Sequence, residues 1–555
     1  MPQFNKIQNS SNYDRLIVDI VFLFAPFIKN INLTILLTTM CAMVNVLGLY
    51  ICISNWIPPM SLGVQICRAI LISYGVVLIY GLLRKWRSII GYIFITIIIV
   101  ALLINSLIDT IVYLKYHIFF PYDFVIAIRD TNLEEAGAYI DSVIGVDFFL
   151  LAVAEVIVYL GVFYLTTILY KNFAPRLIRF RTPYLTGCLC VLLLSVAGTA
   201  YGSKLMGGNS DIIGKVILFR KHTPVQEITA KVPELCFMPV DSVDSPDEII
   251  IIVGESLSKD HCQLYGYDKP TQPRLTQLAK DSAIQVFQNA RTSASYTILA
   301  FRNLIGVWSE NLPQDSVWYR CPTFLQIEKA AGYHTSWISC QAEHGIGDSG
   351  VSVMSNLADT TFWVPSWLRD RNYYDEELLP LIESRNKINR LKKLTLIHLN
   401  GSHMYYQDRY LESRSKFRAS DYKSNPESQR CNLAEYDNSV LYNDSVIAEI
   451  FKLYEDRDAL VMYFSDHGED LYQSDKGFYG HGQPKGSESW EITTNIPFIV
   501  YMSPGMKIRH PKLVERINFS VNKEINTTNL TYTLMDITGV YIKGHNEDNK
   551  NSFFY

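Results

Sequence analysis

Long apolar runs fill residues 1–203 of the chain, and shorter runs separated by polar segments follow. A helix needs about 20 apolar residues to cross the hydrocarbon core of a bilayer. Stretches that meet this requirement lie at residues 31–54, 64–83, 88–108, 148–170 and 182–201. Arg68 lies near one end of the second stretch, where its long side chain can reach the interface. The pattern predicts an α-helical membrane domain of five transmembrane helices, with residues 16–28 as a shorter interfacial lead-in.

The short loops between these stretches differ in charge. Loop 84–87 is Arg-Lys-Trp-Arg and loop 171–181 carries four Lys or Arg residues, whereas loop 55–63 has none. Basic loops stay in the cytoplasm. Five spans then put everything after residue 203 outside, which is the periplasm for a bacterial inner membrane.

Two segments lie outside the predicted spans and the C-terminal domain. The outer loop contains Thr131 and Asn132, candidate N-caps, followed by two glutamates in the first turn. This pattern predicts a helix within residues 116–146 that lines a lipid site, with a plain connector as the alternative. Residues 204–245 mix apolar and charged positions and then turn proline-rich, so they predict a bridging linker.

From residue 246 to 555 the pattern becomes that of an α/β domain. Short apolar runs alternate with helical periodicity, which is typical of a doubly wound sheet. The run at 249–253 contains only β-branched residues, so it predicts a strand buried on both faces. Strands are predicted at 248–253, 334–338, 394–399, 459–464 and 496–502, and helices at 274–280, 324–331, 439–454 and 529–537.

Composition narrows the function classes. The formal net charge is −4 and no basic stripe occurs, which argues against nucleic-acid binding. The ten cysteines include no C-x-x-C pair, which argues against zinc knuckles. An odd number of cysteines falls after residue 203, so at least one of them is predicted to be a free thiol: Cys236, Cys262, Cys321, Cys340 and Cys431.

Polar side chains follow three of the predicted strands. Glu255 follows the first, Asp466 and His467 follow the strand at 459–464, and Asn-Gly-Ser-His follows the strand at 394–399. Because parallel strands end at one edge of a sheet, these side chains are expected to lie together. Two carboxylates and an imidazole suit Zn²⁺. His481, between two glycines, can reach the same place.

A single histidine in a domain of this size is usually structural, and the metal hypothesis depends on the coincidence of several strand ends. The histidines expected to be structural are His261, His334, His344, His398, His510 and His545.

A nucleophile is expected beside such a metal. Hydroxyls at Thr292, Ser293, Ser295 and Thr297 precede an apolar helical segment. A helix N-terminus and a bound metal both lower the pKa of a hydroxyl. The spacing leaves the four candidates open, and a simple N-cap is the alternative for each of them.

Several motifs occur in an order that resembles a known family. They are GESLSKDHCQLYGY at 254–267, SASYT ending at Thr297, HLNGSH at 398–403, YDNSVLYND at 436–444 and YFSDHGED at 463–470. Together with five spans and TNLEEAGAYI in the outer loop, they resemble the bacterial phosphoethanolamine transferases. These are membrane enzymes with a periplasmic, sulfatase-like domain of the alkaline phosphatase type. HLNGSH and SASYT are similar to the forms in relatives that modify the lipopolysaccharide core.

The resemblance implies a role for each matched residue. Glu255, Thr297, Asp466 and His467 correspond to zinc ligands, and Thr297 also to the nucleophile. His403 and His481 correspond to groups that bind phosphate or move protons, and Lys259, Asn400 and Ser402 are expected to bind substrate. Lys259 replaces the family's usual arginine, which keeps the charge but loses the bidentate fork. The disulfides of the lipid A enzymes have no obvious counterpart.

The resemblance also implies a reaction. Phosphoethanolamine would pass from phosphatidylethanolamine through a phosphoethanolamine-threonine to lipopolysaccharide, at a core sugar or lipid A, with release of diacylglycerol. One zinc site is expected, and a second metal during turnover is left open, in a monomeric multi-pass inner-membrane protein that confers polymyxin resistance. The alternatives are a phosphoglycerol transferase, a sulfatase-like phosphodiesterase, and a membrane-anchored sensor or scaffold on an inactive catalytic fold.

Overall fold

The computed structural model divides the chain into two compact units. The first comprises residues 1–125 and 140–221, and the second residues 126–139 and 222–555. The predicted boundaries near residues 203 and 245 stay predictions. The structure describes residues 33–38, 40, 73, 75–77, 79–84, 86–116, 146–177, 234–238, 244–306, 322–341, 350–364, 373–474, 477–483, 485–543 and 548–555.

Two long helices dominate the described part of the first unit: α1 (Ser88–Tyr116) and α2 (Val146–Leu177). Within α1, Ser88–Ile108 is long and apolar enough to cross a membrane, which confirms a helix at that predicted span. Its side chains at Ile89, Ile93 and Ile97 are exposed. Exposed apolar side chains along a long helix are typical of a lipid-facing surface rather than a protein core.

The other four predicted spans are not confirmed. Residues 148–170 lie within α2, and the part of that helix whose side chains the structure describes includes an apolar stretch at Ala152–Leu165. The spans at 31–54 and 64–83 are helical where they are described. The span at 182–201, the lead-in at 16–28 and the interior of the predicted loop helix fall outside the described residues.

The second unit alternates strands with helices. Its strands are β1 (Leu235–Phe237), β2 (Glu248–Gly254), β3 (Ile284–Phe287), β4 (Asn289–Arg291), β5 (His334–Ser339), β6 (Thr360–Trp363), β7 (Lys393–His398), β8 (Ala459–Ser465), β9 (Asp470–Leu471), β10 (Tyr479–Gly480), β11 (Phe498–Met502), β12 (Glu524–Asn526) and β13 (Val540–Ile542). Its helices are α3 (Pro273–Lys280), α4 (Thr297–Ile305), α5 (Phe324–Ala330), α6 (Gly350–Ser355), α7 (Leu378–Asn386), α8 (Glu427–Lys452), α9 (Glu488–Thr494), α10 (Pro504–Arg509), α11 (Pro511–Ser520) and α12 (Leu530–Thr538).

Short 3₁₀ segments connect several of these elements. They lie at Lys259–His261, Gln263–Tyr265, Asp375–Glu377, Tyr406–Arg409, Glu412–Arg414, Ala419–Tyr422, Thr527–Asn529 and Asp548–Asn551.

A seven-stranded sheet with the order β3-β11-β8-β2-β7-β5-β6 forms the centre of this unit. β2 lies between β7 and β8 and pairs in parallel with both. Residues 249–253 are fully buried, as their unbroken apolar run predicts. All five predicted strands are confirmed. The sheet is mixed, because β11 runs antiparallel to both β8 and β3.

Helices cover both faces of the sheet. Ile249, Ile251 and Val253 pack into one core, and Ile250 and Ile252 into the other, as the alternation of side chains along a strand requires. The second core is closed by α8, which begins at Glu427 rather than at the predicted residue 439. The earlier part of α8 carries many polar residues, so its hydrophobic periodicity is too weak to predict a helix.

Glu328 on α5 is a fully buried carboxyl group. Burial raises the pKa of Glu328 from 4.5 to about 8, although a hydrogen bond from the Thr538 hydroxyl opposes this rise. Between these two pH values the unfolded chain releases the proton while the folded domain keeps it, so stability falls as pH rises. We expect Glu328→Gln to remove this loss. At pH 8 its unfolding free energy should exceed that of the wild type by roughly 3–5 kcal/mol. Denaturant titrations at pH 4.5 and pH 8 test this, and equal wild-type stability at both would contradict it.

Candidate active site

Glu255 lies one residue beyond β2, and its side chain is fully buried. Its two carboxylate oxygens accept hydrogen bonds from different elements: Oε1 from the Ser256 hydroxyl at 2.9 Å and Oε2 from Gln341 Nε2 at 2.9 Å. Ser256 has a φ of +56°, a conformation that costs energy for a residue other than glycine. The chain therefore turns sharply where the first acid leaves the sheet.

Asp466 and His467 follow the neighbouring strand β8 and are also buried. Asp466 Oδ1 accepts the backbone N–H groups of His467 at 2.7 Å and Ser256 at 3.2 Å. His467 Nε2 lies 3.1 Å from Glu255 Oε1 and 3.5 Å from Asp466 Oδ2. The two strand ends thus bring two carboxylates and one imidazole together.

The titration behaviour of this cluster reflects its crowding. Burial and the nearby Glu255 charge raise the pKa of Asp466 well above its ordinary value. Burial opposes the charging of His467, but Asp466 and Glu255 raise its pKa to about 10. Burial would likewise raise the pKa of Glu255, but the hydrogen bond and charge of His467 hold it well below the ordinary value. Without a cation, the protonated imidazole of His467 pairs with the charged carboxylate of Glu255, and the raised pKa of Asp466 favours its neutral form.

Glu255, Asp466 and His467 fit a metal ion. Each offers a ligand atom, and these atoms all lie within 4.8 Å of one another. Asp466 Oδ2 is buried and has no hydrogen-bond partner among the residues that the structure describes. His467 Nδ1 lies 2.9 Å from the Gly468 carbonyl, so a proton there leaves Nε2 free to bind a metal. A set of nitrogen and carboxylate oxygen donors suits Zn²⁺.

Of the four candidate hydroxyls, Thr297 lies against this cluster. Its Oγ1 is 3.2 Å from both Glu255 carboxylate oxygens and 3.3 Å from His467 Nε2. Thr297 is also the first residue of α4. The others bond elsewhere: Ser293 accepts from Asn303, Ser295 donates to the Gln483 carbonyl, and Thr292 accepts from Thr527.

The loop that carries His481 is tied to the segment before Thr297. Gly482 N–H donates to the Ser295 carbonyl at 2.8 Å, and the Ser295 hydroxyl donates to the Gln483 carbonyl at 2.8 Å. His481 Nδ1 lies 2.9 Å from Glu469 Oε1, and its ring centroid is 4.4 Å from that of His467. His481 therefore lies beside the cluster in a fixed orientation.

The segment after β7 approaches the same place from the other side of β2. Ser402 N–H donates to the Glu255 carbonyl at 2.9 Å, and the His403 ring lies 6.0 Å from the His481 ring. Gly401 has a φ of +56°, and a Cβ there would lie 2.4 Å from the Glu255 carbonyl oxygen. Only glycine allows the two strand ends to approach this closely.

Burial lowers the pKa of His403 to about 3, although Glu255 opposes the shift. His403 is therefore a neutral imidazole near neutral pH, which can both donate and accept a hydrogen bond.

Comparison with known proteins identifies the domain. The Sulfatase family profile matches residues 247–540, more than half of the chain. The chain belongs to the sulfatase family. This sulfatase-family region contains Glu255, Thr297, His403, Asp466 and His467.

Several known relatives of this sulfatase-family chain are named more specifically, as phosphoethanolamine transferases. Phosphoethanolamine transferase EptC from Escherichia coli O18:K1:H7 is 29% identical over 322 residues, which are 56% of this chain and 54% of that protein. The chain thus spans about half the length of the curated relatives it matches. These relatives confirm the resemblance to phosphoethanolamine transferases.

Two solved structures share the fold. The C-terminal periplasmic domain of Escherichia coli EptC, in complex with Zn, is 25% identical, with a TM-score of 0.51 over 58% of this chain and 89% of that one. The integral membrane lipooligosaccharide phosphoethanolamine transferase A from Neisseria meningitidis is 18% identical, with a TM-score of 0.62 over 94% of this chain and 96% of that one.

The predicted substrate-binding residues have structural partners in this sulfatase-family domain. Lys259 Nζ donates to the Gln288 carbonyl and, at 3.3 Å, to Asn495 Oδ1. Neither partner belongs to the cluster around Glu255. Asn400 N–H donates to Asp375 at 2.7 Å, and the Ser402 hydroxyl accepts from Ser439 at 2.9 Å. Substrate binding by Lys259, Asn400 and Ser402 stays a prediction.

Most histidines outside the site have structural surroundings. His261 pairs with Asp437 at 2.6 Å, and His510 with Asp244 at 2.6 Å. His398 is buried against the Phe301 ring, and burial lowers its pKa to about 4. His334 begins β5, and His344 and His545 lie outside the described residues.

Free thiols are present, as the odd cysteine count predicts. In the described part of the chain they are Cys236, Cys262, Cys340 and Cys431. Cys321 lies outside that part.

Sequence reasoning missed two residues that support the site. Gln341, which holds Glu255, closely follows β5, so its place after a predicted strand was a usable signal. Asp375 accepts the backbone N–H groups of both Asn400 and Gly401 and so fixes the turn after β7. Asp375 has no sequence signal, because it comes from a distant 3₁₀ segment.

Proposed function

We propose that the protein is a zinc-dependent transferase that moves phosphoethanolamine from phosphatidylethanolamine to lipopolysaccharide. One observation carries the proposal: Thr297 Oγ1 lies within 3.3 Å of both Glu255 carboxylate oxygens and of His467 Nε2, at the start of a helix. A hydroxyl placed among metal ligands is suited to nucleophilic attack on phosphorus. The named phosphoethanolamine transferases among its relatives support the choice of substrate.

Glu255, Asp466, His467 and Thr297 would hold the metal. A bound Zn²⁺ would lower the pKa of the Thr297 hydroxyl and place positive charge near the phosphate oxygens. In the first step, Thr297 Oγ1 forms a bond to phosphorus, and the bond from phosphorus to the diacylglycerol oxygen breaks. The positive end of α4 favours the negative charge that develops there.

The histidines beside the cluster would assist the reaction. His481 would give a proton to the departing diacylglycerol oxygen and later take one from the acceptor hydroxyl or phosphate, while the neutral His403 would donate a hydrogen bond to the phosphate. The acceptor oxygen then attacks the phosphorus of phosphoethanolamine-threonine, and Thr297 Oγ1 leaves. The contact between His481 and Glu469 supports this role, because it fixes which ring nitrogen faces the cluster.

The membrane-embedded part of the chain fits amphiphilic substrates. We place the protein in a bacterial inner membrane as a multi-pass monomer, with the second unit in the periplasm. The helix at Ser88–Ile108 and the membrane relative from Neisseria meningitidis support this location. The acceptor is a core sugar or lipid A. Phosphoethanolamine on a lipid A phosphate would add an ammonium group and lower the negative charge of that lipid, and we then expect reduced binding of the cationic antibiotic polymyxin.

Lipid products test the proposal. Zinc-loaded full-length protein in detergent should convert phosphatidylethanolamine to diacylglycerol and add phosphoethanolamine to lipopolysaccharide, as seen by mass spectrometry. Consumption of phosphatidylglycerol instead would identify a phosphoglycerol transferase. Free phosphoethanolamine without an acceptor product would identify a hydrolase. Zinc-bound protein that converts no lipid would support a sensor or scaffold.

A further inference from the structure

A buried group of charged residues lies at the edge of the sheet opposite the candidate active site. We call it the basal cluster: Glu248 at the start of β2, Lys393 at the start of β7, Arg385 on α7 and Arg457 just before β8. Arg385 Nη1 lies 2.8 Å from Glu248 Oε2, and Lys393 Nζ lies 3.5 Å from Glu248 Oε1. Arg457 Nη1 also contacts Glu248 Oε1.

The charges of the basal cluster do not balance. Three cations share the carboxylate of Glu248, which leaves an excess of two positive charges. The Arg385 side chain is fully buried, and that of Lys393 is 6% exposed. The nearby Asp458 forms no ion pair with these three cations: its Oδ2 lies against Arg509 and His510, and its Oδ1 has no hydrogen-bond partner among the described residues. Uncompensated charge in a protein interior is strongly unfavourable.

Hydrogen bonding is incomplete in the same place. Arg385 Nε and Nη2 are buried and have no hydrogen-bond partner among the described residues, and the Thr395 hydroxyl is in the same situation. Thr395 is two residues after Lys393 on β7, so both side chains lie on the same face of the sheet. Buried N–H donors without a partner usually indicate a water molecule or an ion.

A water molecule can accept these hydrogen bonds but cannot offset the charge. A phosphate or sulfate can do both, since its oxygens match the planar fork of an arginine. We propose that the basal cluster binds a small tetrahedral oxyanion of the phosphate class. Arg457, whose side chain is 31% exposed, provides the entrance. The burial of Arg385 and Lys393 favours a free anion over the headgroup of a membrane lipid.

A bound anion would also stabilise the strands that carry the candidate active site. The basal cluster joins β2, β7 and the start of β8, and these three strands carry Glu255, His403 and Asp466 at their other ends. No basal cluster residue belongs to the candidate active site, so anion binding there is independent of the proposed transferase activity.

Thermal unfolding of the full-length, zinc-loaded protein in detergent provides the test. Sodium phosphate should raise the midpoint by several degrees over sodium chloride at equal ionic strength. Lys393→Met removes one cation, keeps the apolar stem and leaves Glu248 paired with two arginines. We expect this variant to lose most of the phosphate-specific shift. Because its candidate active site is intact, any shift that remains belongs to that site.

Arg274→Met is the matched control. Arg274 forms an exposed pair with Glu449, so this variant changes the net charge equally and should keep the full phosphate shift. Equilibrium dialysis with labelled phosphate should find one bound phosphate fewer per chain for Lys393→Met than for Arg274→Met. Equal midpoints in phosphate and chloride for the wild type, or equal shifts and stoichiometries for the two variants, would overturn the proposed anion site. The excess charge would then be relieved within the protein, by loss of the proton from Lys393.

Discussion

Replacing Thr297 with alanine should abolish phosphoethanolamine transfer and the covalent phosphoethanolamine-protein adduct. Thr297 Oγ1 lies 3.2 Å from the Glu255 carboxylate at the first residue of α4, whereas the other three candidate hydroxyls form hydrogen bonds away from the cluster. Loss of a nucleophile lowers the rate by roughly 10³-fold or more. Diacylglycerol release from phosphatidylethanolamine measures the rate, and intact-protein mass spectrometry detects the adduct.

Two hydroxyl variants make this result specific. Thr297→Ser keeps the nucleophile and should retain part of the activity together with the adduct. Ser293→Ala should leave both unchanged, because the Ser293 hydroxyl bonds to Asn303 and not to the Glu255 cluster. Transfer by Thr297→Ala at the wild-type rate would show that the nucleophile has been wrongly assigned.

Replacing Glu255 with glutamine should remove the metal while preserving the fold. The substitution keeps the shape of the side chain and removes one of the two buried negative charges that a cation would balance. We expect zinc affinity to fall by at least about 10-fold, because even outer residues of zinc sites have effects of that size. Elemental analysis of purified protein measures zinc, and thermal unfolding reports the fold.

The stability of Glu255→Gln without metal has a predictable direction. Burial would raise the pKa of Glu255 in the metal-free domain, but the hydrogen bond and charge of His467 hold it well below its ordinary value. The charged carboxylate therefore stabilises the fold at neutral pH, and its removal should destabilise the metal-free domain. Glu449→Gln, which changes an exposed acid, should keep its zinc. Full zinc occupancy in Glu255→Gln would mean that Glu255 has only a structural role.

The strands were predictable to the extent that they are buried on both sides. β2 and β8 are unbroken apolar runs, and the structure has them within a residue of the predicted bounds. β3 and β6 lie at the two edges of the sheet and are short and partly exposed, so their apolar pattern is weak. The antiparallel direction of β11 depends on its tertiary partners and leaves no mark on its own sequence.

The candidate active site was likewise predictable only in part from the sequence. Because parallel strands end at one edge of a sheet, the order of apolar runs and polar residues is enough to predict that Glu255, Asp466 and His467 meet. Spacing did not separate Thr297 from the neighbouring serines, because which hydroxyl faces the cluster depends on where α4 begins and on the Ser295 contacts with the His481 loop. The backbone carbonyl that binds the Lys259 amine likewise comes from a distant segment and leaves no sequence signal.

The position of β2 at the centre of the sheet also governs the order in which this domain can assemble. Its pairing partners begin at residues 393 and 459, so a chain growing from its N-terminus makes the isoleucine-rich strand long before either partner exists. An unpaired strand of β-branched residues readily adds to other exposed edges and aggregates. We therefore expect chains that stop before residue 465 to accumulate as aggregates, and a holding chaperone to be most valuable while residues 249–253 wait for their neighbours.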